Sequence, residues 1–236
     1  MRELGTFVVL CAPTARSQAY LQALLVENLT PKHVLVYGCA QAEEASKKTH
    51  ANQSLIPFFP NFYVSVQQTI EEAGWSVDYI KSRDLNSDIL NFHLLDVSPL
   101  LTVFSGIAGQ IVPPRILLSA GKLLHIHSGW LPDYKGSTTL YYSLLHEKRC
   151  AATALLLTEE IDGGPVLARK HYRAPSRWDD IDYSYDCTIR ADLLVSVLKE
   201  YVKQQELPQP IEIGGGEMYY VIHPLLKHLS ILSLED

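Results

Sequence analysis

The sequence predicts an α/β fold: a mostly parallel central sheet with helices on both faces, followed by a short C-terminal appendage. Three observations carry that expectation. Thr6 to Cys11 (TFVVLC) is a β-rich apolar run, and after it Tyr20, Leu21, Leu24 and Leu25 recur at helical spacing. His33 to Tyr37 (HVLVY) is a second short run, so the chain opens β-α-β, which makes neighbouring parallel strands joined by a right-handed crossover. Strand-length apolar runs and amphipathic segments then keep alternating, and 47% hydrophobic content over 236 residues is enough for a full core. The arrangement is Rossmann-like, with ligands expected at the carboxyl ends of the strands.

Taken in order, the loop Ala12 to Ser17 lies at a helix N-terminus, an end that attracts anions. There Thr14, Arg16 and Ser17 either contact a substrate phosphate, or Thr14 or Ser17 caps the helix and Arg16 faces water. The glycine pattern of a dinucleotide loop is missing. Ala40 to Phe62 reads as a mobile or substrate-facing excursion. Val64 to Ala73 is helical, Trp75 to Ile80 a strand, Asp88 to Leu95 an amphipathic helix and Leu100 to Phe104 a buried strand. In the following SGIAGQIVPP, Gly106 and Gly109 allow close backbone approach, and Pro113 and Pro114 start a turn or helix.

Past a central strand at Leu123, Thr138 to His146 reads as a helix, Ala151 to Thr158 and Val166 to Tyr172 as strands, and Arg173 to Tyr185 as a polar loop. Ile189 to Gln205 is a long amphipathic helix ended by the LPQP at Leu207 to Pro210. The tail, with three consecutive glycines and an aromatic-aliphatic stretch, is expected to be an element packed on the sheet, a lid or an oligomer contact.

Composition narrows the function. A net charge of −6 with 19% charged residues gives no basic footprint for an extended nucleic-acid interface. The apolar run near the N-terminus is too short for a membrane span. Cys11, Cys39, Cys150 and Cys187 lack CxxC spacing and read as free thiols of a reducing compartment, which makes the cytoplasm the expected location.

The chemistry concentrates in Leu123 to Gly136, LLHIHSGWLPDYKG. Alternation along a strand puts His125 and His127 on one face, where two imidazoles meet one reacting group. Asp162 precedes a Gly-Gly-Pro turn, which holds its carboxylate on a loop near that strand's end. Tyr134 and Lys135 lie in the LPDYKG turn, either touching substrate or, respectively, packing and facing water.

The segment HIHSGWLPDYKG resembles the signature of the folate-dependent formyltransferases, an Asn-x-His followed by an LP stretch and Tyr-x-Gly. TEEIDGGPVL resembles that family's acidic loop with its catalytic aspartate, and SGIAGQIVP its strand-end loop on the formyl-donor side. The three occur in the family's order over roughly Leu100 to Leu167. The family spans glycinamide ribonucleotide transformylase, methionyl-tRNA formyltransferase, sugar N-formyltransferases and formyltetrahydrofolate hydrolase. The resemblance implies a catalytic domain over 1–206 and a C-terminal extension over 207–236 that packs on the core or forms an oligomer contact, with a homodimer as one outcome. It implies 10-formyltetrahydrofolate as formyl donor, held by Gly106, Ala108, Gly109, Gln110, Ile111 and Glu160, and a small-molecule primary amine as acceptor, such as an amino sugar nucleotide. Thr14, Arg16, Ser17, Tyr134 and Lys135 are expected on the acceptor side.

An amine attacking a formyl carbon creates an oxyanion and an ammonium, so the site needs a proton relay and a donor to the developing charge. His127 and Asp162 match the family's histidine and aspartate, whereas His125 stands where the family has asparagine. Three other readings remain open: a hydrolase in which water replaces the amine, a metal enzyme using His125, His127 and Asp162 as a two-histidine, one-carboxylate set, and a binding module that has lost transfer.

Overall fold

A computed structural model describes residues 5–38 and 58–235. Cys39 and most of the expected excursion at 40–62 lie outside them. The central sheet contains β1 (Val8–Cys11), β2 (His33–Tyr37), β3 (Val77–Ile80), β4 (Leu101–Ser105), β5 (Lys122–His127), β7 (Arg149–Leu156) and β8 (Val166–Arg173). Their order is β3-β2-β1-β4-β5-β7-β8, parallel as far as β5 and antiparallel beyond it. β5 is therefore the last parallel strand, and its carboxyl end is where the two halves of the sheet meet. A separate parallel pair joins β6 (Tyr134–Gly136) to β9 (Glu217–Tyr219).

Alternation sorts the strand side chains onto two faces. Val9, Cys11, Val103, Leu124 and Ile126 face α1 (Ala15–Val26), α2 (Val66–Ala73) and α6 (Asp186–Gln204), packing with Tyr20, Leu24, Ile70, Leu194 and Leu198. Val8, Leu10, Phe104 and Leu123 face α3 (Asp88–Val97) and α4 (Pro114–Ser119), with Leu90, Leu94 and Ile116. The sheet is thus covered on both sides, as a parallel sheet requires. α5 (Thr139–Glu147) forms a third cluster with Ile189 of α6 and with Ile222 and Leu234 of the C-terminal segment.

Local signals account for several boundaries. Ser65 and Gln68 form a reciprocal capping box at α2, and Gly74 ends that helix in the left-handed conformation. The polar stretch expected as a loop up to Tyr185 contains a π-helical turn, Ile181–Tyr185, that runs directly into α6. The tail adds α7 (Pro224–Leu232), which begins at a proline and buries Ser230 while Leu225, Leu226, Leu229 and Leu232 remain exposed. Among the described residues no helix is long and apolar enough to cross a membrane. Cys11 is buried, Cys150 and Cys187 are buried free thiols, and burial pushes Cys187 up to about 12, far from a reactive thiolate.

Candidate active site

His127 ends β5 and is buried. Its Nε2 lies 2.7 Å from the Tyr134 carbonyl oxygen, which only accepts, so Nε2 carries a hydrogen and donates. The Thr139 hydroxyl, 3.4 Å from the same nitrogen, gives its hydrogen to the Ser128 carbonyl and offers the ring only lone pairs. Gly129 makes this packing possible: a Cβ there would sit 2.9 Å from Nε2. On the other side of the ring, Nδ1 is 3.4 Å from Asp162 Oδ2, an ion-pair separation slightly longer than a formed hydrogen bond.

Asp162 is buried, and its Oδ2 accepts from the Gly136 backbone N–H at 2.8 Å. It sits at φ +51°, a left-handed conformation that aspartate tolerates better than most residues and that recurs at functional sites. Burial lowers the His127 pKa from the ordinary imidazole value, with Asp162 opposing the shift. The neutral ring keeps its hydrogen on Nε2, which leaves the Nδ1 lone pair facing the carboxylate. A proton arriving at Nδ1 would sit between the ring and the Asp162 carboxylate, 3.4 Å away, a geometry chemically able to accept one.

His125 shares the His127 face of β5 but not its partners. Its Nδ1 is 3.5 Å from the Phe104 carbonyl, too long to lock a tautomer, and its ring lies 6.3 Å from that of Phe104. Burial, then Arg16 and Arg190, push its pKa well below the usual value, so it is neutral near pH 7. The conflict between two adjacent imidazolium groups does not arise. No three His, Cys, Asp or Glu among the described residues converge at metal-ligating spacing. The three residues of the metal reading do not gather in that way, and one ring nitrogen of His127 is committed to the Tyr134 carbonyl.

The other expected residues fall into two groups. At the α1 end, Thr14 is the N-cap and accepts from the Ser17 N–H at 3.3 Å, while Ser17 is buried against Ser105. Arg16 is half-buried rather than solvated; it donates to Ser105 Oγ at 3.2 Å and to the Gly106 carbonyl at 2.5 Å, tying α1 to the end of β4. On the donor-side loop, Gln110 is held by the Tyr37 hydroxyl at 2.6 Å and donates to the Arg83 carbonyl, while Ala108, Gly109 and Ile111 are exposed. Across the site, Lys135 Nζ lies 3.7 Å from exposed Glu160. The Tyr134 side chain is packed away, its hydroxyl donating to Glu147 at 2.8 Å and its ring stacked on Tyr219.

Sequence reasoning missed a polar cluster beside the site. Arg190 makes a two-point ion pair with Asp186, at 3.1 and 3.0 Å, and donates to the Ile126 carbonyl at 3.1 Å; Asp186 also accepts from Ser128. The i,i+4 spacing of Asp186 and Arg190 was the available signal. It was hidden because α6 starts earlier than its apolar periodicity suggests. The Trp130 ring stacks on His171 at 3.9 Å and lies 4.3 Å from the Arg169 guanidinium, which pins the loop after β5 to strand β8.

No family model matches the sequence. A methionyl-tRNA formyltransferase of Streptococcus agalactiae is 25% identical over 105 residues, 43% of this chain and 33% of that protein. The chain is related to the formyltransferase family. Solved structures agree on the fold of this formyltransferase relative: a sugar N-formyltransferase from a Shewanella species superposes with a TM-score of 0.59 at 18% identity, covering 96% of this chain and 87% of that one. Glycinamide ribonucleotide transformylase 1 from Symbiobacterium toebii gives 0.58 at 16%, covering 89% and 92%. The matched stretch is thus about a third of the streptococcal protein's length.

Proposed function

We propose that the protein transfers a formyl group from 10-formyltetrahydrofolate to a primary amine of a small anionic molecule, with an amino sugar nucleotide as a suitable acceptor. The observation that carries this is the buried His127–Asp162 couple at the carboxyl end of β5, with an unprotonated Nδ1 facing the carboxylate. The amine nitrogen bonds to the formyl carbon, and the couple takes the proton that the new ammonium must lose. The same proton passes to the donor nitrogen as its bond to the formyl carbon breaks, which leaves N-formyl product and tetrahydrofolate. His125 stands in for the family's asparagine as a neutral donor to the oxyanion, through the tautomer with hydrogen on Nε2.

Features of this chain fit the donor and the acceptor. Exposed Ile111 and Ile161 offer apolar surface for a flat ring on two loops, and Ile107 and Leu157 of the same two loops pack into one cluster. Glu160, Gly106, Ala108, Gly109 and Gln110 complete that side. Toward the acceptor, Arg16 and Arg190 set two guanidinium groups against one carboxylate, Asp186, and the excess positive charge favours an anionic substituent. Thr14 and Ser17 shape that end of α1, and Lys135 adds a further cation. A net charge of −6 favours a small acceptor over a transfer RNA.

The test is incubation with 10-formyltetrahydrofolate and a panel of amino-sugar nucleotides and other amines, with formylated product followed by mass. His127→Ala and Asp162→Ala should each lower the rate by about 100-fold or more. Full activity in Asp162→Ala would remove the couple from the mechanism. Release of formate without N-formyl product would replace transfer by hydrolysis.

A further inference from the structure

We propose that the C-terminal strand β9 is a positioning element of the catalytic site, because its pairing with β6 sets the two hydrogen bonds that hold His127 and Asp162. This rests on reading those two residues as the catalytic couple. Both bonds come from one short segment: the Tyr134 carbonyl takes the His127 Nε2–H, and the Gly136 N–H is given to Asp162. Residues two apart on a strand address the two members of the couple, so any tilt of β6 changes both contacts together.

β6 has only three residues and lies outside the main sheet, so it depends on a partner. That partner is β9, in the parallel register Tyr134↔Glu217, Lys135↔Met218 and Gly136↔Tyr219, continued by Ser137 N–H to the Tyr219 carbonyl at 2.9 Å. Just beyond, the Ile222 N–H donates to Thr138 Oγ1 at 2.8 Å. The Tyr219 ring lies 5.5 Å from that of Tyr134 and 4.6 Å from that of Tyr142, which ties β9 to α5 as well.

Glycine on both sides of this seam is a steric requirement. A Cβ on Gly136 would meet the Tyr219 carbonyl oxygen at 2.1 Å, and the residue adopts φ +100°. A Cβ on Gly216 would meet the Pro132 carbonyl oxygen at 1.8 Å. Gly214 and Gly215 have nothing within 4 Å of an added Cβ, so the third glycine of the run is the one the seam needs. The C-terminal segment is therefore built into the loop that follows the catalytic histidine.

The test uses the full chain with Gly216→Ala, Tyr219→Ala and the conservative Tyr219→Phe, and Leu232→Ala on the exposed face of α7 as a neutral control. Two readouts are independent of turnover: amide hydrogen exchange over 122–137, and the ring-nitrogen resonances of His127, which report its tautomer. Gly216→Ala and Tyr219→Ala should speed exchange at Tyr134 to Ser137 while α1 and α6 keep their protection, and should mix the Nε2–H tautomer with the other. Transfer should fall about ten- to a hundredfold in kcat, with KM for the donor changed less than about threefold. Tyr219→Phe should behave as wild type. Unchanged exchange and tautomer in both disruptive variants would overturn the proposal, as would loss of protection spread equally through α1 and α6. If wild-type protein formylates no amine, the proposed function fails, while the exchange and tautomer measurements still decide the role of β9.

Discussion

Two ion pairs flank the end of β5, and they are built differently. Arg190 and Asp186 sit one helical turn apart on α6 and meet through two contacts of 3.0 to 3.1 Å, with the remaining groups taken by Ile126 and Ser128. His127 and Asp162 come from a strand and a loop, stand 3.4 Å apart, and are held mainly by backbone groups of β6. The first pair is closed and satisfied, and its protons do not move because arginine stays charged. The second leaves one proton position open. A two-point side-chain pair makes a strut, whereas the looser pair, held in place by backbone, leaves the Nδ1 position that the proposed relay needs.

Breaking the strut should cost the most stability. Arg190→Met leaves Asp186 largely buried without its partner, and unfolding should become easier by about 3 kcal/mol, seen as a lower denaturant midpoint. Arg190→Met combined with Asp186→Leu should recover most of that loss; a double variant as unstable as the single one would show that the pair is more than a strut.

The histidine side should respond to pH instead. His125 and His127 both have folded pKa values lowered by burial, so between those values and the unfolded value of about 6.5 the unfolded chain binds more protons. The stability linked to each group is complete above about pH 6.5 and is lost as pH falls toward its folded value. For His125, whose value lies well below the usual one, the slope approaches about 1.4 kcal/mol per pH unit. Denaturant titrations from pH 7.5 to 5 should show this decline, and His125→Asn should flatten it. The same variant should change transfer least, by less than about tenfold, since an amide replaces a neutral imidazole as donor. A hundredfold loss in His125→Asn would give His125 a proton-transfer role of its own.

The legible and illegible parts of the molecule divide along the same line. The parallel core was readable because a strand buried on both faces is a continuous apolar run and the helices between carry a 3.6-residue period. That His127 and Asp162 would meet was readable from residue type and motif. Their partners were not, because a carbonyl at Tyr134 or an N–H at Gly136 is chemically the same as at any other residue. Strands β6 and β9 escaped for a related reason: three residues show no periodicity, and their pairing depends on glycines that read locally as turns. The direction taken by Arg16 was equally hidden, since its partners at Ser105 and Gly106 are far away in sequence.

The most direct test of the account is the rate of N-formyl product formation from 10-formyltetrahydrofolate by wild-type protein and by Asp162→Asn, measured at saturating amine from pH 5 to 8. The account predicts that the wild-type rate rises with pH to a plateau as the couple becomes able to accept a proton, and that Asp162→Asn stays about 100-fold lower throughout. A variant as fast as wild type across that range would contradict it.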